Sequence, residues 1–332
     1  MLKKNWLALF VLISIELSAQ VKPENGVAPS KPEYIAFVHA TIYVSPSQKI
    51  EDGTLLIQGD KVISVGSKIK IPSSAVLVDC TNKVILPSFI ELYSQIGLPE
   101  KITPTTKGAT YWNESIHPEF DAASRFEIDP KSNETLLKMG FGIALTHYHD
   151  GIVRGSAALI SLGENDVNKQ LIQSQSGLFY SFSKGGSQQT YPSSQMGSIA
   201  LLRQAFYDLD DYSNSNNQER NISLEEWKSK LSLPSFFKTE DKWEILRADK
   251  IAKEFNQTWN YIGTGKEYAW LPNHKNLNGA IIIPINFPEA YDVKDPYVAR
   301  QIPISDLKHW ELAPSNPSIL SKNSISFAIT ST

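Results

Sequence analysis

The chain has 332 residues, 20% of them charged, with a net charge of −3 and a single cysteine. This composition excludes collagen-like, low-complexity and disulfide-stapled chains, and it offers no basic footprint for nucleic acid. No stretch reaches the roughly 18 consecutive apolar residues that a membrane span needs, and the length suits about two domains, or one barrel with an addition.

Lys3 and Lys4 precede an apolar run from Trp6 to Ile15 and the exit Glu16-Leu17-Ser18-Ala19-Gln20. A basic start, a short apolar run and small residues predict a signal peptide over residues 1–20, and hence an exported protein, periplasmic or secreted. Residues 21–32 are polar and Pro-rich and read as a linker. Cys80 has no partner for an internal disulfide and follows a Val-Leu-Val run, so it reads as a buried, inert thiol.

From Tyr34 the pattern is short β segments: YIAFVHATIYV, TLLIQGDKVISVG, AVLVDC and KVILPSFIELY. Turns are predicted at Glu51-Asp52-Gly53 and Gly59-Asp60. Residues 33–88 are expected to form a small, partial β-sandwich. Residues 99–140 show no clear period. Strands are then predicted at 140–147, 155–162, within 173–193, at 234–238, 261–262, 280–286 and 324–330. Helices are predicted at 194–207, from a capping box at Ser223 and Glu226, at 241–255, shortly after Ile262, and, beyond the segment LKHWELA (307–313), from Asn316 with Pro317 behind it. Strands alternating with helices predict an α/β fold with a parallel, TIM-like (β/α) barrel over residues 89–332. The sequence stops at Thr332 directly after a strand with no covering helix, so the barrel is expected to be incomplete there, as the first part of a longer protein.

Residues 78–99, VDCTNKVILPSFIELYSQIGLP, resemble the junction of the amidohydrolase superfamily, near its imidazolonepropionase-like and dihydroorotase-like branches. The family pattern is "D-x-x-G-x-x-V-x-P-G-[LF]-I-D-x-H-x-H". Asp79, Ile85, Pro87, Phe89, Ile90 and Glu91 match it or replace a residue closely, and residues 53–66 resemble the family's preceding hairpin. The resemblance implies a β-sandwich feeding a barrel that hydrolyses non-peptide C–N bonds with a bound metal, usually zinc.

The departures fall on the metal ligands. The H-x-H pair becomes Tyr93 and Gln95, which share a strand face but are poor ligands for a hydrolytic zinc. The segment 260–268, where the family often carries another His, has Gly263-Thr264-Gly265. The segment 234–241 has no His, and Thr332 falls where the family's last acid stands. Tyr93, Gln95, Thr264 and Thr332 are therefore degenerate metal positions, and no cofactor is expected in this segment.

Other constellations compete. His147, His149 and Asp150 end a predicted strand and form a weak candidate for a relocated metal site, with His117 in the irregular stretch and not placed beside them. Gly185-Gly186-Ser187 lacks the lysine of a phosphate loop, and Gly151 to Ser156 lacks the spacing of a nucleophile elbow. Lys238 is either a catalytic or carbamylated lysine at a strand end or, more simply, a snorkelling surface residue. Five tryptophans, Trp227, Trp243, Trp259, Trp270 and Trp310, read as packing more simply than as a ligand groove.

Three functions stand at this point. One is an exported amidohydrolase-superfamily protein whose visible segment lacks its metal and pairs with an active amidohydrolase domain downstream. Another is a non-catalytic periplasmic module binding a small molecule at the barrel mouth. The third is a hydrolase with its metal moved to His147 and His149.

Overall fold

The structure is a computed structural model and describes residues 33–99, 109–163, 166–215, 219–270 and 276–331. The predicted signal peptide, the linker and Thr332 lie outside the described residues. The chain divides into two compact units, with the boundary after Pro87.

The first unit is one twisted sheet. β1 (Tyr34–Ser45) pairs antiparallel with β2 (Gln48–Gln58), and β2 pairs antiparallel with β3 (Lys61–Gly66). On its other edge β1 runs parallel to β4 (Val76–Asp79) and then to β5 (Val84–Ile85). Gly59-Asp60 makes the predicted two-residue hairpin turn, with Gly59 at φ 59°. Glu51-Asp52-Gly53 does not turn the chain. It lies inside β2 at an irregularity where Asp52 (φ 49°) faces His39 (φ 60°), and the two side chains meet at 2.8 Å. The turn between β1 and β2 falls instead at Pro46-Ser47. Cys80 is buried with Ala40 and Ile42, as its apolar setting predicts.

The second unit is an eight-stranded sheet in the order β13-β12-β11-β10-β9-β8-β7-β6 among the described residues. Its strands are β6 (Phe89–Ser94), β7 (Phe141–Thr146), β8 (Val153–Ser161), β9 (Leu171–Ser181), β10 (Ser235–Lys238), β11 (Trp259–Ile262), β12 (Ile281–Pro284) and β13 (Phe327–Thr330). The expected parallel sheet is found with one exception: β8 runs antiparallel to both β7 and β9, while every other pairing among the described residues is parallel. Only a few residues separate β7 from β8, too few for the crossover that a parallel pair needs.

The edges β6 and β13 meet through a side chain. Glu91, 1% exposed, accepts the Thr330 hydroxyl and the Ser331 N–H (2.8 Å). The sheet thereby closes on itself. Its interior holds Tyr93, Leu145, Ala157, Phe179, Phe236, Ile262 and Ile282, one inward residue or so per strand. The outward faces of the same strands pack under helices, as in the cluster of Tyr180, Phe237 and Tyr261 with Leu202, Phe206 and Ile251.

Among the described residues the helices are α1 (Pro130–Lys138), α2 (Val167–Gln170), α3 (Gln195–Asn214), α4 (Ile222–Lys230), α5 (Glu244–Glu254), α6 (Pro296–Ala299), α7 (Ile304–Leu312) and α8 (Asn316–Lys322). α1 lies in the stretch read as irregular, although Asp129 caps it by accepting Ser132 N–H, with Pro130 behind it as a helix start favours. The cap of α4 is Asn221, accepting Leu224 N–H at 3.1 Å. Ser223 instead accepts the N–H of Tyr111. Asn316 does not cap α8 but lies within it, its side chain turned to Tyr268 N–H and Glu267. Among the described residues the segment after Ile262 forms a 3₁₀ turn, Glu267–Trp270, and residues 271–275 lie outside them. Trp227 and Trp259 are fully buried core residues, whereas Trp243 and Trp310 are exposed. No helix among the described residues is long and apolar enough to cross a membrane.

Candidate functional site

A barrel places its chemistry at the C-terminal ends of its parallel strands. Here that end carries Tyr93 and Gln95 after β6, His147 and His149 after β7, Lys238 closing β10, and Thr264 after β11. The N-terminal end of the reversed strand β8 joins them and brings Arg154.

Tyr93 is the centre of the group. Its ring stacks on His149 (centroids 4.3 Å apart, 15° between planes) and lies 5.0 Å from His147. Its hydroxyl accepts a long hydrogen bond from Arg154 Nη1 (3.4 Å), and Lys238 Nζ lies 5.4 Å from its ring centroid. Cation–π attraction operates at that range.

A local irregularity aims Arg154 inward. The β8–β9 register jumps from Val153↔Tyr180 to Ser156↔Leu178, so two residues of β8 face one of β9. Such a bulge exchanges the faces of the strand on either side. Val153 accordingly faces the outer core and Ala157 the interior. Gly155 makes the bulge possible. Its φ is +78°, and a Cβ there would lie 2.2 Å from the Phe120 carbonyl oxygen.

The two histidines are held neutral. His147 is fully buried, stacks on Phe179 (3.3 Å), and its Nδ1 donates to the Tyr148 carbonyl at 2.8 Å. Burial, His149 and Arg154 push its pKa well down. Burial, with Arg154 and Lys238 behind it, pushes His149 down to about 3. The Nε2 atoms of both rings have no hydrogen-bond partner among the described residues. Burial also lowers the Lys238 ammonium, opposed by Glu240, and raises the Tyr93 phenol.

Among the described residues the expected metal positions do not assemble a metal site. Gln95 donates to the Pro99 carbonyl (3.2 Å). Thr264 lies in a loop pinned from beneath by Glu267, which accepts the N–H groups of Thr264 (2.6 Å) and Gly265 (3.1 Å) and the Asn316 amide (2.7 Å). Thr332 lies outside the described residues. Asp150 turns away from the histidines to accept Gly186 N–H at 2.6 Å. Gly185 is what lets that loop approach, since a Cβ on it would meet Asp150 at 1.7 Å. His117 stacks on Phe120 instead of joining His147. Among the described residues no group of three His, Cys, Asp or Glu side chains stands close enough to hold a metal ion. A phenol, an amide and a hydroxyl at the aligned positions do not fit zinc either.

A cleft of about 400 Å³ opens onto this end, lined by Glu91, Tyr93, Gln95, Leu136, His149 and Ser331 among others. Sequence reasoning singled out Tyr93, Gln95, His147 and His149, and the structure brings Tyr93 and the two histidines together. It missed Arg154, and it took Lys238 for a surface residue when its ammonium lies over the Tyr93 ring. Only Gly155 beside it could have drawn attention to Arg154, and a lone Gly in a strand is a weak signal.

No family model and no curated protein matches the chain. Among solved structures it is similar to an amidohydrolase from Thermotoga maritima MSB8, with 20% identity and a TM-score of 0.68 over 89% of this chain and 78% of that one. Weaker similarity extends to a D-hydantoinase from Thermus sp. (12% identity, TM-score 0.41, covering 89% of this chain and 68% of that one) and to a triazine hydrolase from Arthobacter aurescens (10%, 0.43, 90% and 72%). The chain thus has the fold of an amidohydrolase.

Proposed function

We propose that this chain is an exported amidohydrolase-superfamily barrel that binds a small molecule at the C-terminal end of its strands without holding the superfamily's hydrolytic metal in this segment. The fold and the junction at residues 78–99 support the superfamily, and Lys3, Lys4 and the run Trp6–Ile15 support export. One observation carries the metal-free reading. The two positions that would offer imidazoles on β6 are Tyr93, stacked on His149 and bonded to Arg154, and Gln95, bonded to Pro99. Their side chains are committed to other partners, and the cations Arg154 and Lys238 stand where they would repel a divalent ion. The superfamily's action on non-peptide C–N bonds, such as cyclic amides, would then belong to a further amidohydrolase domain partnered with this one.

Elemental analysis of the purified, dialysed chain tests this. The expected result is a folded chain with far less than one zinc, iron or manganese per molecule and no hydrolysis of cyclic amides. Near-stoichiometric metal, lost together with hydrolytic activity on His147→Ala, would overturn the reading and favour a site at His147 and His149.

A further inference from the structure

Arg154 and Lys238 approach the same phenol ring from different strands, β8 and β10, with β9 between them. Arg154 is 3% exposed. Of its five N–H donors, Nε bonds the Gly151 carbonyl at 3.0 Å and Nη1 reaches Tyr93 at 3.4 Å, and neither partner is charged. Nη2 makes no hydrogen bond among the described residues. Lys238, half-buried, makes no hydrogen bond or ion pair there either. Glu240 favours its ammonium but lies beyond ion-pair contact. Two cations against one phenol, with no carboxylate in ion-pair contact with either among the described residues, is a costly arrangement unless something else supplies the negative charge.

We propose that the barrel mouth binds the oxyanion group of a small molecule, a carboxylate or a phosphate, between Arg154 and Lys238 over the Tyr93 ring. This rests on the metal-free reading above and names the chemistry of the ligand. Arg154 offers its free guanidinium edge, suited to the planar fork of two oxygens, and Lys238 adds a mobile point charge. Tyr93 and Gly155 position rather than bind: the phenol keeps the guanidinium turned into the mouth, and the bulge at Gly155 puts it on the inner face. The neutral imidazole of His149 adds no competing charge to the site at neutral pH.

Isothermal titration of the full chain with sodium succinate and with sodium phosphate, at constant ionic strength and with and without EDTA, tests the proposal. Saturable binding that survives EDTA is expected. It should weaken at least ~tenfold in Lys238→Met and in Arg154→Met, and stay unchanged in Lys322→Met, an exposed lysine of α8. Binding of succinate alone identifies a carboxylate site, of phosphate alone a phosphate site, and of both a general oxyanion site. Should Arg154→Met not fold, Arg154→Lys and the half-buried Lys238→Met carry the test. Absence of binding by either anion, or equal affinity in Lys238→Met and the parent chain, overturns the oxyanion site and leaves the metal-free reading standing. Binding abolished by EDTA overturns the metal-free reading itself.

Discussion

Glu91 and Arg154 lie at the same end of the barrel, both almost wholly buried at 1% and 3% exposure, and differ in what surrounds them. Glu91 accepts three donors: the N–H of Tyr93 (2.9 Å), the N–H of Ser331 and the hydroxyl of Thr330. Glu267, also 1% exposed, likewise accepts three donors under the loop after β11. Among the described residues Arg154 has two uncharged acceptors, one of them distant, and Lys238 none. The acids at the seam and under the loop are built into the fold, with their lone pairs used by neighbouring backbone N–H groups and side chains. The cations inside have no carboxylate bonded to them among the described residues. A buried charge that the structure satisfies contributes to stability, whereas one that it leaves unsatisfied is better explained by a ligand.

The largest expected effect is at the seam. Glu91→Ala strands three donors and unties β6 from β13. It should cost about 3 kcal/mol, read as a lowered urea midpoint. Glu91→Gln, which keeps an acceptor oxygen, should cost less. Equal stability in Glu91→Ala and the parent would show that the barrel closes without this residue.

The pH dependence of stability examines the interior. The pKa of His149 in the folded chain is about 3, below the 6.5 of an unfolded imidazole, so between these values the unfolded chain binds a proton that the folded chain refuses. The stability associated with His149 is therefore complete above pH 6.5 and is lost as pH falls towards 3. From pH 6 to pH 4 the loss should approach about 2 kcal/mol, given about 1.4 kcal/mol per proton per pH unit and some relief from partial exposure. His149→Phe should make the urea midpoints fall less steeply across this range, leaving the share that buried His147, also held below its usual pKa, contributes. An unchanged slope would mean that the imidazole is not held neutral by Arg154, Lys238 and burial.

What the sequence discloses here follows the range of each interaction. Alternating apolar residues and the Gly59-Asp60 turn mark the strands, because those signals are local. The recurrence of strand and helix leads to the barrel, and the junction at 78–99 to its family resemblance. The role of Glu91 is hidden because its partners, Thr330 and Ser331, lie 239 and 240 residues away. Arg154 is hidden for another reason. Strict alternation from Ala157 places residue 153 on the inner face, and only the bulge reverses that. Lys238 ends a four-residue strand, SFFK, too short for its period to decide which face its last residue takes.

The cap of α4 gives a smaller effect on the satisfied side of the comparison. Asn221 is a neutral, partly buried acceptor serving one N–H, so Asn221→Ala should cost about 1 kcal/mol by urea unfolding. The capping box read from Ser223 and Glu226 predicts instead that Asn221 is dispensable. Ser223→Ala should also destabilise, through the buried N–H of Tyr111 and not through the helix end.

The smallest effect is expected where the fold has least invested. Lys238→Met removes an ammonium with no hydrogen bond or ion pair among the described residues and keeps a side chain of similar length over the same phenol ring. Stability should stay within about 0.5 kcal/mol of the parent or rise, because a charge that burial penalises is replaced by an apolar group. Measured beside Glu91→Ala in the same urea series, this makes the comparison quantitative: a charged residue that the fold uses against one that it only tolerates. A loss above about 1 kcal/mol on Lys238→Met would assign the ammonium an internal role through Tyr93 or Glu240 and erase the contrast. A neutral or stabilising result, together with weaker anion binding, would place the value of Lys238 in the ligand and not in the barrel.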